Sequence, residues 1–269
     1  MKLIRRMLAP LALGLAALGG PSAFAAPLTT QLGFLIDASG SIGSGNFATI
    51  RTGYATALAA LPTDGSIEVT VYTFSTGTSQ IVAPTIVTAA TLPGIVAAVQ
   101  TMAYSNGSTA TGAGITAISN AMVGSSNFSR TLSSIINMST DGEANVGIPN
   151  GQAAALAAAQ AAETAGIDAL TAEFIGSSAT GLDGTRDIVF SPINGPCNNC
   201  GTVLADGSIP PNPMTSNPWV LRVNNFSDFP VAINAKVQAI VNPTPEPGIL
   251  MLLSLGLVGL GIARRNKSA

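Results

Sequence analysis

The sequence predicts one α/β domain, in which helices flank both faces of a doubly wound, mainly parallel sheet. Short apolar runs typical of buried strands alternate along the chain with segments whose apolar residues recur at helical spacing. This alternation is the pattern of parallel strands joined by crossover helices. Of the 269 residues, 47% are hydrophobic, which is enough to form a substantial core.

The first predicted strand is the apolar run 31–36, which meets a polar turn at 37–41. A helix follows it, because apolar residues then recur every three or four positions until Pro62. These residues are Phe47, Ile50, Tyr54, Leu58 and Leu61. Two further strands, 66–75 and 80–83, are joined by a turn at 76–78, so we expect a hairpin within the alternating pattern.

The remaining elements continue the alternation. Two amphipathic helices are marked by Leu92, Ile95, Val99 and Met102, and by Ile115, Ile118 and Met122. A strand at 132–138, an alanine-rich helix at 152–165 and strands at 167–175 and 219–223 follow. The closing helix carries Phe229, Ile233, Val237 and Ile240. We place this domain at 29–241.

One segment, 176–218, has no apolar periodicity and is rich in Gly, Pro, Asn and Ser, which predicts an irregular insertion. It contains Cys197 and Cys200. A small-loop disulfide suits this spacing in an oxidising compartment. A redox dithiol would need the start of a helix, and structural zinc would need two further ligands in a chain without histidine.

Residues 1–25 have the pattern of a secretory signal peptide, with a basic start, an apolar run and small residues before the expected cleavage point. The alternative is an uncleaved membrane anchor. The apolar run is shorter than the ~20 residues that span a bilayer, which favours a signal peptide. We therefore expect export.

The tail, 242–269, carries Pro245, Glu246 and Pro247 near its start, followed by the apolar segment 248–263 and a basic stretch at 264–267. As a helix, this segment would rise only about 24 Å, less than the ~30 Å of a hydrocarbon core. The tail resembles the PEP-CTERM sorting signal of Gram-negative bacteria. The resemblance implies processing by an exosortase, transient inner-membrane anchoring, a final location at the cell surface or in the extracellular matrix, and a host that makes exopolysaccharide. The alternative is an ordinary single-span anchor.

Three polar loops are predicted to lie at the same edge of the sheet. The first and third follow strands, and the second precedes a helix. They are Asp37-Ala38-Ser39-Gly40-Ser41, Gly107-Ser108-Thr109-Ala110-Thr111-Gly112 and Ser139-Thr140-Asp141-Gly142-Glu143. Ligands of open α/β sheets bind where such loops converge. Carboxylate and hydroxyl oxygens suit Mg²⁺, with Mn²⁺ or Ca²⁺ as alternatives, and disfavour zinc. Taken singly, the Asp37 loop is as typical of a helix-capping turn as of a metal site. Thr109 alone is more typical of a helix cap, and Asp141-Gly142 alone is more typical of a turn.

Together the three loops resemble the metal-ion-dependent adhesion site (MIDAS) of von Willebrand factor A (VWA) domains. The resemblance implies a Rossmann-like VWA fold and a metal site formed by Asp37, Ser39, Ser41, Thr109 and Asp141. It further implies that the serines and Thr109 bind the metal directly, that the aspartates act directly or through water, and that a carboxylate of a protein partner completes the coordination. We do not count Glu143 as a ligand.

Other functions fit the sequence less well. Residues 26–244 contain five basic and twelve acidic residues, so they lack the basic surface of a nucleic-acid-binding protein. We expect no enzyme, because a chain without histidine cannot form a Ser-His-Asp or Cys-His arrangement. The alternative to metal-dependent adhesion is a biofilm-associated structural protein that binds exopolysaccharide independently of the metal.

Overall fold

The computed structural model describes residues 26–241. The predicted signal peptide, the Pro245-Glu246-Pro247 motif and the apolar segment 248–263 lie outside the described residues. Among the helices of the described part, none combines the length and apolar character needed to cross a membrane.

The described chain forms seven strands and six helices. In chain order they are β1 (Thr30–Asp37), α1 (Ser44–Ala59), β2 (Asp64–Phe74), β3 (Thr78–Thr88), α2 (Leu92–Thr101), α3 (Thr111–Val123), β4 (Ser133–Thr140), α4 (Gly151–Ala165), β5 (Ala169–Ile175), α5 (Ala179–Ile188), β6 (Thr202–Leu204), β7 (Trp219–Val223) and α6 (Phe229–Val241).

The strands form one mixed sheet in the order β3-β2-β1-β4-β5-β7-β6. Each neighbouring pair is parallel except β2 and β3, the predicted hairpin. The chain extends the sheet from β1 in one direction through β2 and β3, and in the other through β4. The strand order therefore reverses between β1 and β4, which is where open α/β sheets bind their ligands. The predicted fold class is confirmed.

Helices cover both faces of the sheet and bury two apolar cores. Helices α1, α2 and α6 pack on one face, and α3, α4 and α5 pack on the other. Gly33 of β1 permits the close approach of α3, since a Cβ at this position would lie 2.6 Å from the sulfur of Met122. The two-sided burial explains why β1 and β5 are almost continuously apolar rather than alternating.

The expectation that 176–218 is irregular throughout was wrong, because it contains α5 and β6. Helix α5 lacks an apolar stripe in its sequence because it packs partly through glycines. A Cβ on Gly181 would lie 2.9 Å from the ring of Phe174. Ser178 caps this helix by accepting the N–H of Gly181. Strand β6 has only three residues and forms an exposed edge, so it left no alternating pattern.

The rest of this segment is loop, and within it Cys197 and Cys200 are joined by a disulfide with a Cα–Cα distance of 5.4 Å. Arg186 of α5 donates hydrogen bonds to the carbonyls of Gly201 and Asn199 on either side of Cys200. The loop is thereby attached to α5.

Candidate metal centre

The three polar loops converge at the carboxyl edge of the sheet. Strand β1 ends at Asp37 and strand β4 ends at Thr140, and the two strands are neighbours. The loop that precedes α3 joins them there, because the N–H of Gly40 donates to the carbonyl of Gly107 at 2.8 Å. The candidate residues therefore lie at the point where the strand order reverses.

Asp37 is fully buried at the end of β1. Its Oδ1 accepts the N–H of Ser39 at 2.8 Å, and its Oδ2 accepts the hydroxyl of Thr140 at 2.7 Å. These hydrogen bonds favour the charged form, but burial opposes it more strongly and raises the pKa of Asp37 to about 6. Asp141 adds a smaller contribution of the same sign, since two carboxylates near one another repel.

Asp141 lies close to both serines. The hydroxyl of Ser41 donates to Asp141 Oδ1 at 2.7 Å, and the Oγ atoms of Ser39 and Ser41 are 3.3 Å apart. Burial also raises the pKa of Asp141, and the hydrogen bond from Ser41 only partly offsets this effect. Ser39, Ser41 and Asp141 therefore form one cluster of oxygens.

Thr109 lies on the third side of this cluster. A Cβ on Gly142 would lie 3.5 Å from Ser41 Oγ and 3.9 Å from Thr109 Oγ1, so the two hydroxyls flank the same point. The backbone of Thr109 is held by Asn145, which accepts its N–H at 2.8 Å and donates to its carbonyl at 3.0 Å. All five predicted site residues are thus brought together, whereas Glu143 is exposed.

Three supporting residues were given no role from the sequence. Thr140 bonds Asp37, Asn145 holds Thr109, and the hydroxyl of Tyr104 donates to the carbonyl of Gly40 at 3.2 Å. Thr140 precedes Asp141 in the third polar loop, so its place beside a candidate ligand could have marked it as a site residue. Asn145 and Tyr104 reach the site only through the folded loops, and no sequence pattern marks them.

The donor set fits a hard divalent cation. Two desolvated carboxylates lie together here, and neither ion pair found within residues 26–241 includes either of them. A cation would relieve both the desolvation and the mutual repulsion. No group of three or more His, Cys, Asp or Glu side chains suited to a metal occurs in this range. The candidate centre has only two such residues, and its other donors are hydroxyls.

Solved structures share this fold at low sequence identity. Proximal thread matrix protein 1 from the mussel byssus superimposes with a TM-score of 0.58 and 19% identity, over 78% of this chain and 47% of that one. The pilus adhesin SpaC of Lactobacillus rhamnosus GG gives 0.58 and 13%, over 80% and 30%. A von Willebrand factor type A protein of Catenulispora acidiphila gives 0.56 and 16%, over 78% and 42%. The chain spans less than half the length of each.

Another structure of the mussel protein, described with a zinc-occupied MIDAS motif, has a TM-score of 0.54 at 19% identity, over 78% of this chain and 48% of that one. No curated protein matches the chain. The sequence profile of the von Willebrand factor type A domain matches residues 31–188, more than half of the chain, and that of the PEP-CTERM protein-sorting motif matches residues 243–265. The chain therefore belongs to the von Willebrand factor type A domain family and ends in a PEP-CTERM sorting motif.

Proposed function

We propose that this protein is an exported, non-enzymatic interaction module that binds a protein partner through a divalent metal held by Asp37, Ser39, Ser41, Thr109 and Asp141. The observation that carries the proposal is the pairing of a fully buried carboxylate, Asp37, with a second carboxylate and three hydroxyls at the switch point of the sheet. Membership of the VWA family supports a protein-interaction role.

The bound metal would supply positive charge at the surface of the domain. The two carboxylates balance the charge of a dication without exceeding it and the other three donors are neutral hydroxyls, so a coordination position left open on the metal would accept one further acidic group. The hydrogen bonds from Ser39 and Thr140 would stabilise and orient the Asp37 carboxylate, and the hydrogen bond from Ser41 would orient the Asp141 carboxylate. A carboxylate on the partner is the ligand that such a centre favours.

The surroundings of the centre offer a contact of different chemistry. Ile148 is 92% exposed and lies three residues after Asn145, the residue that is hydrogen-bonded to the backbone of Thr109. Three residues span at most about 11 Å, so Ile148 lies within that distance of Asn145, and the footprint of a protein partner centred on the metal would include this part of the loop. We expect the partner to present an apolar side chain beside its carboxylate.

The sorting motif supports the location that we propose. PEP-CTERM signals mark proteins exported in Gram-negative bacteria, and the motif implies processing by an exosortase. We place the mature protein at the cell surface or in the extracellular matrix. Two of the structural relatives are named as a pilus adhesin and a thread matrix protein, which is in keeping with this placement.

The test is calorimetric titration of the purified full-length protein with Mg²⁺, Mn²⁺, Ca²⁺ and Zn²⁺. We expect Asp37→Asn and Asp141→Asn to abolish the binding of the favoured ion, because each removes a charge from the centre. Asp183→Asn is the matched control, since Asp183 is an exposed carboxylate outside the centre. Circular dichroism verifies that all three variants fold.

Partner binding is tested by capture of acidic peptides with and without chelator. Capture that disappears with chelator and in Asp37→Asn supports the metal bridge. The absence of metal binding by the wild-type protein would refute it. Exopolysaccharide binding that persists with chelator, in protein that captures no acidic peptide, would favour the metal-independent alternative.

A further inference from the structure

A shallow groove lies between the β2–β3 hairpin and the C-terminal end of α3. It has a volume of about 470 Å³. Tyr72, Gln80 and Pro84 line one wall, and Asn120 and Asn127 line the other. Asn120 lies nine residues after the start of α3, or roughly 14 Å along the helix from the metal centre, and Tyr72 lies two residues before Phe74, which pairs with Asp37. None of the five candidate metal ligands lines the groove.

A β-bulge gives the hairpin wall its composition. Val71 pairs with Val82, whereas the next residue, Tyr72, pairs with Gln80, so Ile81 is an extra residue in β3. Gln80 and Val82 would otherwise share a face of the strand. The bulge leaves Val82 in the core beneath α1 and α2 and places Gln80 opposite Tyr72 on the other face. An aromatic ring and an amide are thereby set side by side.

A buried carboxylate fixes the opposite wall. Glu68 is only 2% exposed, and its Oε1 accepts the hydroxyl of Ser125 at 2.9 Å and the amide of Asn127 at 2.6 Å. Its other oxygen accepts the amide of Gln31 at 2.6 Å. These bonds hold the loop after α3 in one conformation. A preformed wall lowers the entropic cost of binding a ligand.

The chemistry of the groove selects the class of ligand. Of the described residues that line it, none is charged; they present an aromatic ring, amides and hydroxyls. Amides offer both donors and acceptors, which suits the adjacent hydroxyls of a sugar, and the face of a tyrosine suits its C–H surface. A phosphate or an acidic peptide would find no cation here. We propose that this groove binds a neutral carbohydrate, with Tyr72 against the sugar ring and Gln80, Asn120 and Asn127 at its hydroxyls.

The test is binding of the full-length protein to an array of neutral and uronic-acid oligosaccharides. The protein is purified in a detergent without a sugar headgroup, and chelator is present so that the metal centre does not contribute. The best neutral oligosaccharide is then titrated by calorimetry. We expect Tyr72→Ala and Gln80→Ala each to weaken its binding about tenfold, because each removes one wall contact.

Gln160→Ala is the matched control, since Gln160 is an exposed amide on α4 outside the groove. It should bind as the wild type does. Gln80 is itself exposed, so its variant keeps the test open if Tyr72→Ala does not fold. The proposal is overturned if the array shows no neutral ligand, if only uronic-acid sugars bind, or if Gln80→Ala binds as tightly as Gln160→Ala.

Discussion

Asp37 carries a carboxylate into the interior of the molecule, where hydroxyl and amide groups rather than a basic side chain stabilise its charge. Burial is the largest influence on this group and raises its pKa to about 6 from an ordinary 3.8. The metal-free folded protein therefore holds a proton on Asp37 more tightly than the unfolded chain does. In the absence of a cation, the burial of this carboxylate therefore costs stability at neutral pH.

This cost has a defined pH dependence. Because the folded pKa is raised, the stability that Asp37 contributes is fully present below about pH 4 and is lost as the pH rises through 6. The loss amounts to about 3 kcal/mol. In chelator, we expect Asp37→Asn to remove this part of the pH dependence of the free energy of unfolding. Urea unfolding between pH 4 and pH 7 measures it, and parallel curves for the two proteins would contradict the assignment.

Helix α6 is attached to the sheet by charge as well as by apolar packing. Lys236 and Glu173 of β5 are both fully buried, with Nζ and Oε1 2.8 Å apart, and the ammonium lies 5.1 Å from the centre of the Trp219 ring. Burial lowers the pKa of Lys236 to about 8 and raises that of Glu173, although each charge favours the other. Removal of one member of such a pair is costly, because the other charge is then left buried without a partner.

We expect Lys236→Met to lower the free energy of unfolding by about 3–5 kcal/mol, because it leaves the Glu173 carboxylate buried without a cation. The double variant Glu173→Leu with Lys236→Met should recover most of this loss. Asp183→Asn, which breaks the exposed pair with Arg186, is the control and should cost at most about 1 kcal/mol. If Lys236→Met lowers the free energy of unfolding by no more than the control does, water reaches the pair and the prediction is wrong.

Across the whole molecule, the two ends of the described chain lie far from the candidate metal centre. The N–H of Ala26 donates to the backbone carbonyl of Asp64 at the start of β2. Val241 lines a cavity together with Thr30 and Ser133, which lie at the starts of β1 and β4. The centre lies at the opposite edge, across the eight residues of β1, or roughly 26 Å. The last described residue and the candidate centre therefore lie at opposite ends of the strands.

Metal binding at one edge should stabilise the whole domain, because the unfolded chain does not bring the three loops together. At free metal one hundred times its Kd, we expect about 2.7 kcal/mol of added stability and a rise in Tm of roughly 5–10 °C. Ser41→Ala should reduce this rise, whereas Ser177→Ala, an exposed serine outside the centre, should retain it. Thermal scans with and without chelator measure both, and an equal rise in the two variants would argue against Ser41 as a ligand.

Most of the fold was predictable because burial leaves a periodic mark on the sequence. The helix predicted from Phe47, Ile50 and Tyr54 is α1, and these three side chains are buried. Strand β3 proved longer than the predicted 80–83, because bulges let it continue past Pro84. Helix α5 was missed, since a helix that packs through Gly181 and Gly184 leaves no apolar stripe.

The sequence by itself determined the alternation of strands and helices, because burial leaves its pattern within short stretches of chain. It also named the five candidate ligands, because three polar loops taken together carry the family resemblance. Only the tertiary structure decided how those ligands are supported. Asn145 reaches Thr109 across 36 residues and Thr140 reaches Asp37 across 103. Such contacts, like those of Glu68 behind the groove, depend on how distant segments pack, and no local pattern of residues records them.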